Sequence, residues 1–301
     1  MNCDMNRVIV ITGASSGIGA ELARRVGANG DKPVLVARRT DLLAAVAAES
    51  GGDALALTAD VTVRAEVEAV VAAAIERHGH IDVWVNNAGR GITRPVLELT
   101  DEDLDDMLRI NVKSALYGIQ AVVPHMRARG SGHIINVSSM LGRIPFASMR
   151  SAYSAAKHAL MSLTANLRVD LAQSAPGIHV SAFIPGVVAT EFGSSALHGG
   201  IDSRQMPTAQ PVSEAIDSLV DCIDHPRAEV FSRPGYKQQV RDYYAADDLA
   251  EVERRPPFTV SPAAAAAEFA RDSRGTGVAR LGGEQLEAAE GMARVSPKSS
   301  S

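Results

Sequence analysis

The chain has 301 residues, 46% hydrophobic and 22% charged, the makeup of an ordinary globular protein. A chain this long reads as one large domain with appendages and buries roughly 75% of its unfolded surface, so it needs neither disulfides nor a structural metal. With 30 Lys and Arg against 35 Asp and Glu, the net charge of −5 argues against nucleic acid as a partner, because phosphate binding needs concentrated cations. Cys3 and Cys222 have no neighbours at metal-ligand spacing and read as free thiols of a reducing compartment. The polar stretch 1–7 lacks the apolar core of a secretory leader, and no run of about 18 apolar residues occurs. A cytoplasmic protein without a membrane span or a bound metal is therefore expected.

Taken in chain order, short apolar runs at 8–11, 34–37, 54–57, 83–85, 133–137 and 180–184, with a weaker one at 229–231, alternate with amphipathic segments. The amphipathic segments fall near 18–29, 41–50, 63–78, 101–129 and 151–174. Strands alternating with helices predict βαβ units, and continuous apolar runs predict strands buried on both faces. The fold class expected is α/β, a doubly wound parallel sheet of about seven strands with helices on both faces and ligands at the carboxyl ends of the strands. The domain is expected over 6–250. The stretch 190–212, rich in Gly, Ser, His and Pro, is a candidate substrate lid. The tail 251–301, with Pro256, Pro257 and an alanine run, reads as a loosely ordered extension with a short helix over 263–270.

After the first apolar run comes Thr12-Gly13-Ala14-Ser15-Ser16-Gly17-Ile18-Gly19, opening the first helix. Glycines let the backbone approach a pyrophosphate closely, and the helix N-terminus offers free N–H donors and the positive end of its dipole. The spacing differs from G-x-G-x-x-G, and no Gly-Lys-Ser/Thr follows, so a P-loop is excluded. The second strand ends at Ala37-Arg38-Arg39. An acid there would take the adenosine ribose 2′-hydroxyl, whereas arginine favours a 2′-phosphate. NADP(H) is therefore expected over NAD(H).

Tyr153 and Lys157 stand four apart in a helical stretch and share one face. A phenol has a pKa near 10, and a cation about 4 Å away at an effective dielectric near 20 contributes roughly 4 kcal/mol. That is about three pKa units, so a phenol near neutrality is expected, able to act as general acid or base. The fifth run ends in Ser138-Ser139, either of which could hold a substrate oxygen beside Tyr153. Asn111, a poor helix former, sits inside the long fourth helix.

The order of motifs then carries a resemblance. Besides the glycine turn and the Tyr153/Lys157 pair, there are Asp60-Val61 after the third strand and Asn86-Asn87-Ala88-Gly89 after the fourth. Asn111-Val112 follows, then Pro185-Gly186 and Thr190 after the sixth strand. Over residues 6 to about 190 the chain resembles a short-chain dehydrogenase/reductase. That resemblance implies hydride transfer to or from a carbonyl or secondary alcohol, with Asn111, Ser139, Tyr153 and Lys157 catalytic. It implies a cofactor held by Gly13, Ser15, Ser16, Gly17, Ile18 and Gly19, by Arg38, Arg39, Asp60 and Val61, and by Asn87, Ala88 and Gly89. Tyr153, Lys157, Pro185, Gly186, Val188 and Thr190 complete the cofactor set. Asn111 would hold a water linking Lys157 to solvent, and a homodimer or homotetramer through the fourth and fifth helices is implied. One departure stands out: Ser139 precedes Tyr153 by 14 residues, one more than is commonest in the family, which places the extra residue in the loop 143–150. The competing class is a regulatory NADP(H)-binding protein without turnover, for which the full set of proton-transfer groups would be superfluous.

Overall fold

The computed structural model describes residues 6–255 and Phe258. In chain order the regular elements begin with β1 (Val8–Thr12), α1 (Gly17–Ala28), β2 (Lys32–Ala37), α2 (Thr40–Glu49), β3 (Leu55–Thr58), α3 (Arg64–His78) and β4 (Val83–Asn86). There follow α4 (Asp101–Leu108), α5 (Ser114–Arg129), β5 (Gly132–Val137), α6 (Ser151–Ser174) and β6 (Ile178–Ile184). The last are α7 (Val212–Asp224), β7 (Glu229–Phe231), α8 (Pro234–Tyr244) and α9 (Leu249–Glu253). The seven strands form one sheet in the order β3-β2-β1-β4-β5-β6-β7, and every pairing is parallel. The chain winds outward from β1 to β3, then returns to start β4 on the other side of β1. A crevice opens at that reversal, beyond the carboxyl ends of β1 and β4.

The apolar runs are continuous because alternate residues serve opposite faces. Ile9, Ile11, Leu35, Val85, Ile135 and Phe183 meet α1 and α7 through Leu22, Val26, Ile216 and Leu219. Val8, Val10, Val34, Trp84 and Ile134 meet α3, α5 and α6 through Val70, Val122 and Leu171. β3 departs from the expectation of two buried faces, since its residues alternate between half-buried and exposed, as suits an edge strand.

The segment expected as one helix over 101–129 is helical throughout but interrupted. A wide π-turn over Arg109–Lys113 joins α4 to α5 and carries Asn111. Such turns release backbone groups from the regular ladder, and they cluster at functional sites. The helices α7, α8 and α9 were not among those expected. Val252 and Phe258, past the boundary expected near 250, pack with Tyr243 of α8, and the Tyr243 and Phe258 rings stack with centroids 5.4 Å apart. Cys222 is buried and free. Cys3 and the residues from 259 onward, including the helix expected over 263–270 and the loosely ordered extension, lie outside the described residues. Among the described residues no helix is long and apolar enough to cross a membrane, and no cluster of His, Cys, Asp and Glu could hold a metal ion.

Candidate active site

The glycine turn is locked by backbone contacts that leave no room for side chains. Thr12 Oγ1 donates to the Val85 carbonyl oxygen (3.2 Å) and accepts from the N–H groups of Asn87 and Ala88 (both 3.0 Å). The Asn87 amide donates back to the Thr12 carbonyl oxygen at 2.8 Å. This ties the ends of β1 and β4 together. Gly13 has φ +68°, and a Cβ there would sit 2.8 Å from Ala88 Cα. A Cβ on Gly19 would sit 2.5 Å from the Gly13 carbonyl oxygen. Gly17, at φ +57°, faces Thr190, whose methyl carbon lies 3.5 Å from where a Cβ would be. Ser16 precedes α1 without capping it through its side chain, so that helix terminus keeps its polar side free, while Ile18 packs into the core below.

At the end of β2, Arg39 reaches back to the turn. Its Nε and Nη2 donate to Ser15 Oγ (3.1 and 2.9 Å), and Nη2 donates to Ser16 Oγ (2.7 Å). Arg38 is 69% exposed along its side chain, with Nη1 3.7 Å from Asp60 Oδ2. Asp60 Oδ1 accepts from the Thr62 N–H (2.8 Å) and hydroxyl (2.7 Å). Burial pushes the Asp60 carboxyl up, but the Thr62 hydrogen bonds and the charges of Arg38 and Arg109 outweigh it and hold the group below its usual range. The neighbouring Val61 is buried. Two cations and two hydroxyls thus gather at one corner of the crevice.

The reactive side chains meet beyond β4 and β5. Ser138 Oγ donates to the Lys157 carbonyl oxygen (3.4 Å), so that hydroxyl turns toward the helix backbone. Ser139 Oγ accepts from the Leu141 N–H (3.1 Å) and lies beside the Tyr153 phenol, which it pulls down against burial. Between the two serines left open by the sequence, Ser139 is the one beside Tyr153. One turn along α6, Lys157 Nζ donates to the Val137 carbonyl oxygen (2.9 Å) and lies 5.6 Å from the Tyr153 ring centroid. Asn111 donates to the Arg90 and Met107 carbonyl oxygens (2.9 and 3.1 Å) and accepts from the Arg90 N–H (3.2 Å). A Cβ on Gly89 would lie 2.7 Å from Asn111 Oδ1 and 3.5 Å from Lys157 Nζ, so these three converge on one point.

The electrostatics correct one expectation. Burial pushes the Tyr153 phenol up to about 12, against the hydrogen bond from Ser139 and the nearby charge of Arg150, both of which pull it down. Burial also pushes the Lys157 ammonium down to about 7. Desolvation weakens the lysine cation and raises the phenol together, so the phenol expected near neutrality is not found. A phenol pushed up to about 12 carries its proton at neutral pH.

The segment after β6 closes the crevice. The Pro185 carbonyl oxygen accepts from the Met140 N–H (2.8 Å), and Gly186 lies under the Tyr236 ring, where a Cβ would come within 2.6 Å of Cζ. Val188 is buried and bridges to Gln210, whose side chain donates to the Ser232 carbonyl oxygen at 2.9 Å. The loops 90–95, 143–150 and 190–212 are joined by the bridges Ile92–Leu197 and Arg94–Arg150. Phe192 brings its ring centroid to 5.5 Å from that of Tyr153. The expected lid is pinned by a polar clamp: His198 Nε2 donates to Asp103 Oδ1 (2.7 Å) and Arg94 Nη1 to Asp103 Oδ2 (2.8 Å). Sequence reasoning missed Thr12, Arg150 and this clamp. Thr100 three residues before Asp103, a helix-start signature, pointed to Asp103, but nothing local paired it with His198.

The comparisons with known proteins agree with this geometry. A family model described as short chain dehydrogenase matches residues 7–199. An uncharacterized oxidoreductase of Staphylococcus epidermidis is 34% identical over 210 residues, covering 70% of this chain and 89% of that protein. The crystal structure of a short chain dehydrogenase/reductase from Burkholderia phymatum in complex with NAD is similar at TM-score 0.76 and 25% identity, covering 87% of this chain and all of that one. A short-chain dehydrogenase from Sphingobium yanoikuyae in complex with NADPH gives a TM-score of 0.66 at 29% identity, covering 93% of this chain and 98% of that one. With its seven-stranded parallel sheet and matched residues, this chain belongs to the short-chain dehydrogenase family of oxidoreductases.

Proposed function

We propose that the protein transfers hydride between NADP(H) and a carbonyl or secondary alcohol substrate, with Tyr153 exchanging the proton of the substrate oxygen. The observation that carries this reading is a buried series of neighbours: Ser139 beside the Tyr153 phenol, Lys157 Nζ 5.6 Å from the Tyr153 ring centroid, and Lys157 and Asn111 both against Gly89. A protonated phenol beside a serine hydroxyl is the donor set a carbonyl oxygen needs while it gains negative charge.

The residues present fit a nicotinamide dinucleotide. Gly13 and Gly19 let the turn close against Ala88 and against its own backbone where any Cβ would clash, and the open start of α1 suits a pyrophosphate. Asp60 and Val61 line the adenine end. Asn87, Ala88, Gly89, Pro185, Gly186, Val188 and Thr190 line the nicotinamide end. Bound there, the cofactor supplies or accepts the hydride. Ser139 orients the substrate oxygen, and Tyr153 gives it a proton. Lys157, whose ammonium is brought to about 7, holds the ribose and restores that proton, with Asn111 linking it to solvent. Similar proteins hold NAD in one structure and NADPH in another, so the preference rests on Arg38, Arg39, Ser15 and Ser16. Guanidinium–phosphate hydrogen bonds are charge-assisted, and an NAD ribose offers nothing to replace them. Exposed apolar residues Leu104 on α4 and Leu163 and Val169 on α6 support association into a dimer or tetramer, which light scattering would read.

Titration of the purified protein with NADPH and NADH, followed by nicotinamide fluorescence, tests the reading together with a carbonyl screen. Tighter NADPH binding and oxidation of NADPH by a carbonyl compound are expected. Binding of neither nucleotide would overturn the proposal, and preference for NADH would overturn its arginine part.

A further inference from the structure

We propose that the substrate carries a carboxylate and that Arg150 binds it. This rests on the reading of Tyr153 as the group that faces the substrate oxygen, and it narrows that substrate to an oxo acid or the matching hydroxy acid.

Arg150 immediately precedes α6, three residues before Tyr153. Its side chain is half-buried, yet it makes no ion pair with any described residue. Its hydrogen bond runs from Nη1 to the Ile92 carbonyl oxygen at 3.2 Å. A guanidinium has five N–H donors in a fixed fork, and removing it from water without an acid partner is costly. Other arginines in this part of the molecule are matched: Arg94 with Asp103, Arg143 with Glu229 and Arg204 with Asp202. Asp103 is engaged by Arg94, His198 and the Thr100 N–H and makes no ion pair with Arg150.

The guanidinium lies where a substrate would. A Cβ on Gly91 would be 3.0 Å from Arg150 Nη1 and 3.2 Å from Phe192 Cε1. Phe192 in turn packs against the Tyr153 ring. The charge is close enough to Tyr153 to pull its phenol down against burial. Arg150 and Phe192 therefore meet over Gly91, and Phe192 joins that cation to the proton donor through an apolar wall. Arg90, exposed and donating through Nε to the Ser195 carbonyl oxygen (3.3 Å) on the loop that carries Phe192, also makes no ion pair with a described residue, in a chain whose net charge is −5. A half-buried guanidinium with no acid partner among the described residues, and a second such arginine on the neighbouring loop, describe a site that receives its carboxylate from the ligand.

The test compares 4-formylbenzoate with its methyl ester on the full chain, as wild type, Arg150→Met and Arg150→Lys. Binding is read by calorimetry with and without NADP+, and turnover by NADPH oxidation. Wild type is expected to bind the acid at least about tenfold more tightly than the ester, the scale of a charge-assisted hydrogen bond. Arg150→Met is expected to abolish that preference, with Arg150→Lys restoring part of it and guarding against a folding defect. Equal binding of acid and ester by wild type, or binding of neither, would overturn the proposal. So would a preference that survives in Arg150→Met while only the pH profile of turnover moves, because Arg150 would then act on Tyr153 alone. Selective, Arg150-dependent binding of the acid without NADPH oxidation would leave the carboxylate site standing and overturn the hydride-transfer reading instead.

Discussion

The two ends of the crevice are built by different means. At the end proposed for the cofactor, positions are set by backbone approach: Gly13 against Ala88, Gly19 against the Gly13 carbonyl, and Thr12 holding two N–H groups just past β4. At the substrate end, three loops are held by two isolated bridges and by side chains, chiefly Asp103, His198, Arg94 and Arg150. A backbone cradle admits almost no variation because every side chain is excluded. A side-chain clamp can be rebuilt residue by residue, so this end of the molecule is where specificity can change without loss of the fold.

The largest expected effect lies where the two ends meet. Tyr153→Phe removes one oxygen from a buried ring and should lower kcat by about 10²–10⁴-fold, the usual contribution of general acid catalysis. NADPH affinity, set at the far end by backbone and arginines, should move less than about threefold. Steady-state kinetics and a fluorescence titration on the same preparation check both halves. A tenfold loss of NADPH affinity would mean that the two ends are not separable.

Next in size is the cofactor corner. Arg39→Ala removes the cation that bridges Ser15 and Ser16, and Arg38→Ala removes its exposed neighbour. A hydrogen bond to a charged group is worth about 1.5–3 kcal/mol, so Arg39→Ala should weaken NADPH by roughly ten- to a hundredfold and NADH by much less. Arg38→Ala should have the smaller effect, since its side chain is largely in solvent and already shares Asp60. Equal losses for the two nucleotides would place the 2′-phosphate elsewhere.

What could be read from the sequence follows the same division. The strands, the parallel sheet and the glycine turn rest on local pattern, so β1, β2, β4, β5 and β6 fell within a residue or two of expectation. Helix α7 was readable too: its buried residues Ala215, Ile216, Leu219, Cys222 and Ile223 follow helical spacing, but the Pro- and Ser-rich stretch before it masked the start. The π-turn at Asn111 was not readable, because it depends on Arg90, 21 positions away, offering both a carbonyl oxygen and an N–H to the Asn111 amide. That Arg150 has no acid partner among the described residues was hidden for the same reason. Whether an arginine has a partner is settled by contacts that only folding brings together.

Burial at the seam predicts a pH signature. With Lys157 at about 7 in the folded protein against its ordinary 10.5, the unfolded chain binds more protons between those values, so stability rises with pH across that window. Tyr153, raised from 10.0 to about 12, has the opposite sign: the folded state holds the proton longer, and stability falls as pH rises from 10 toward 12. Lys157→Met should therefore be more stable than wild type near pH 7, with the gap closing as pH approaches 10. Denaturant midpoints at a series of pH values read this directly, and a gap independent of pH would mean that Lys157 is not desolvated as described.

The smallest expected effect tests the clamp on the lid. Asp103 is buried, and its carboxyl is held down to about 2, first by the hydrogen bond from His198, then by the Thr100 N–H and Arg94 acting against burial. His198 makes this contact from φ +62°, a conformation that L-residues adopt at a cost. Two substitutions separate the backbone from the clamp. His198→Gly removes the hydrogen bond and relieves the left-handed strain, whereas His198→Ala removes the bond and keeps the strain. If the clamp sets the lid, both should raise the KM for the carbonyl substrate by roughly two- to fivefold, a fraction of one hydrogen bond, and leave NADPH affinity in place. If strain dominates, only the two melting temperatures should separate, with His198→Gly the higher and KM the same in both. A change in nucleotide affinity in either variant would break the division between a backbone-held cofactor end and a side-chain-held substrate end.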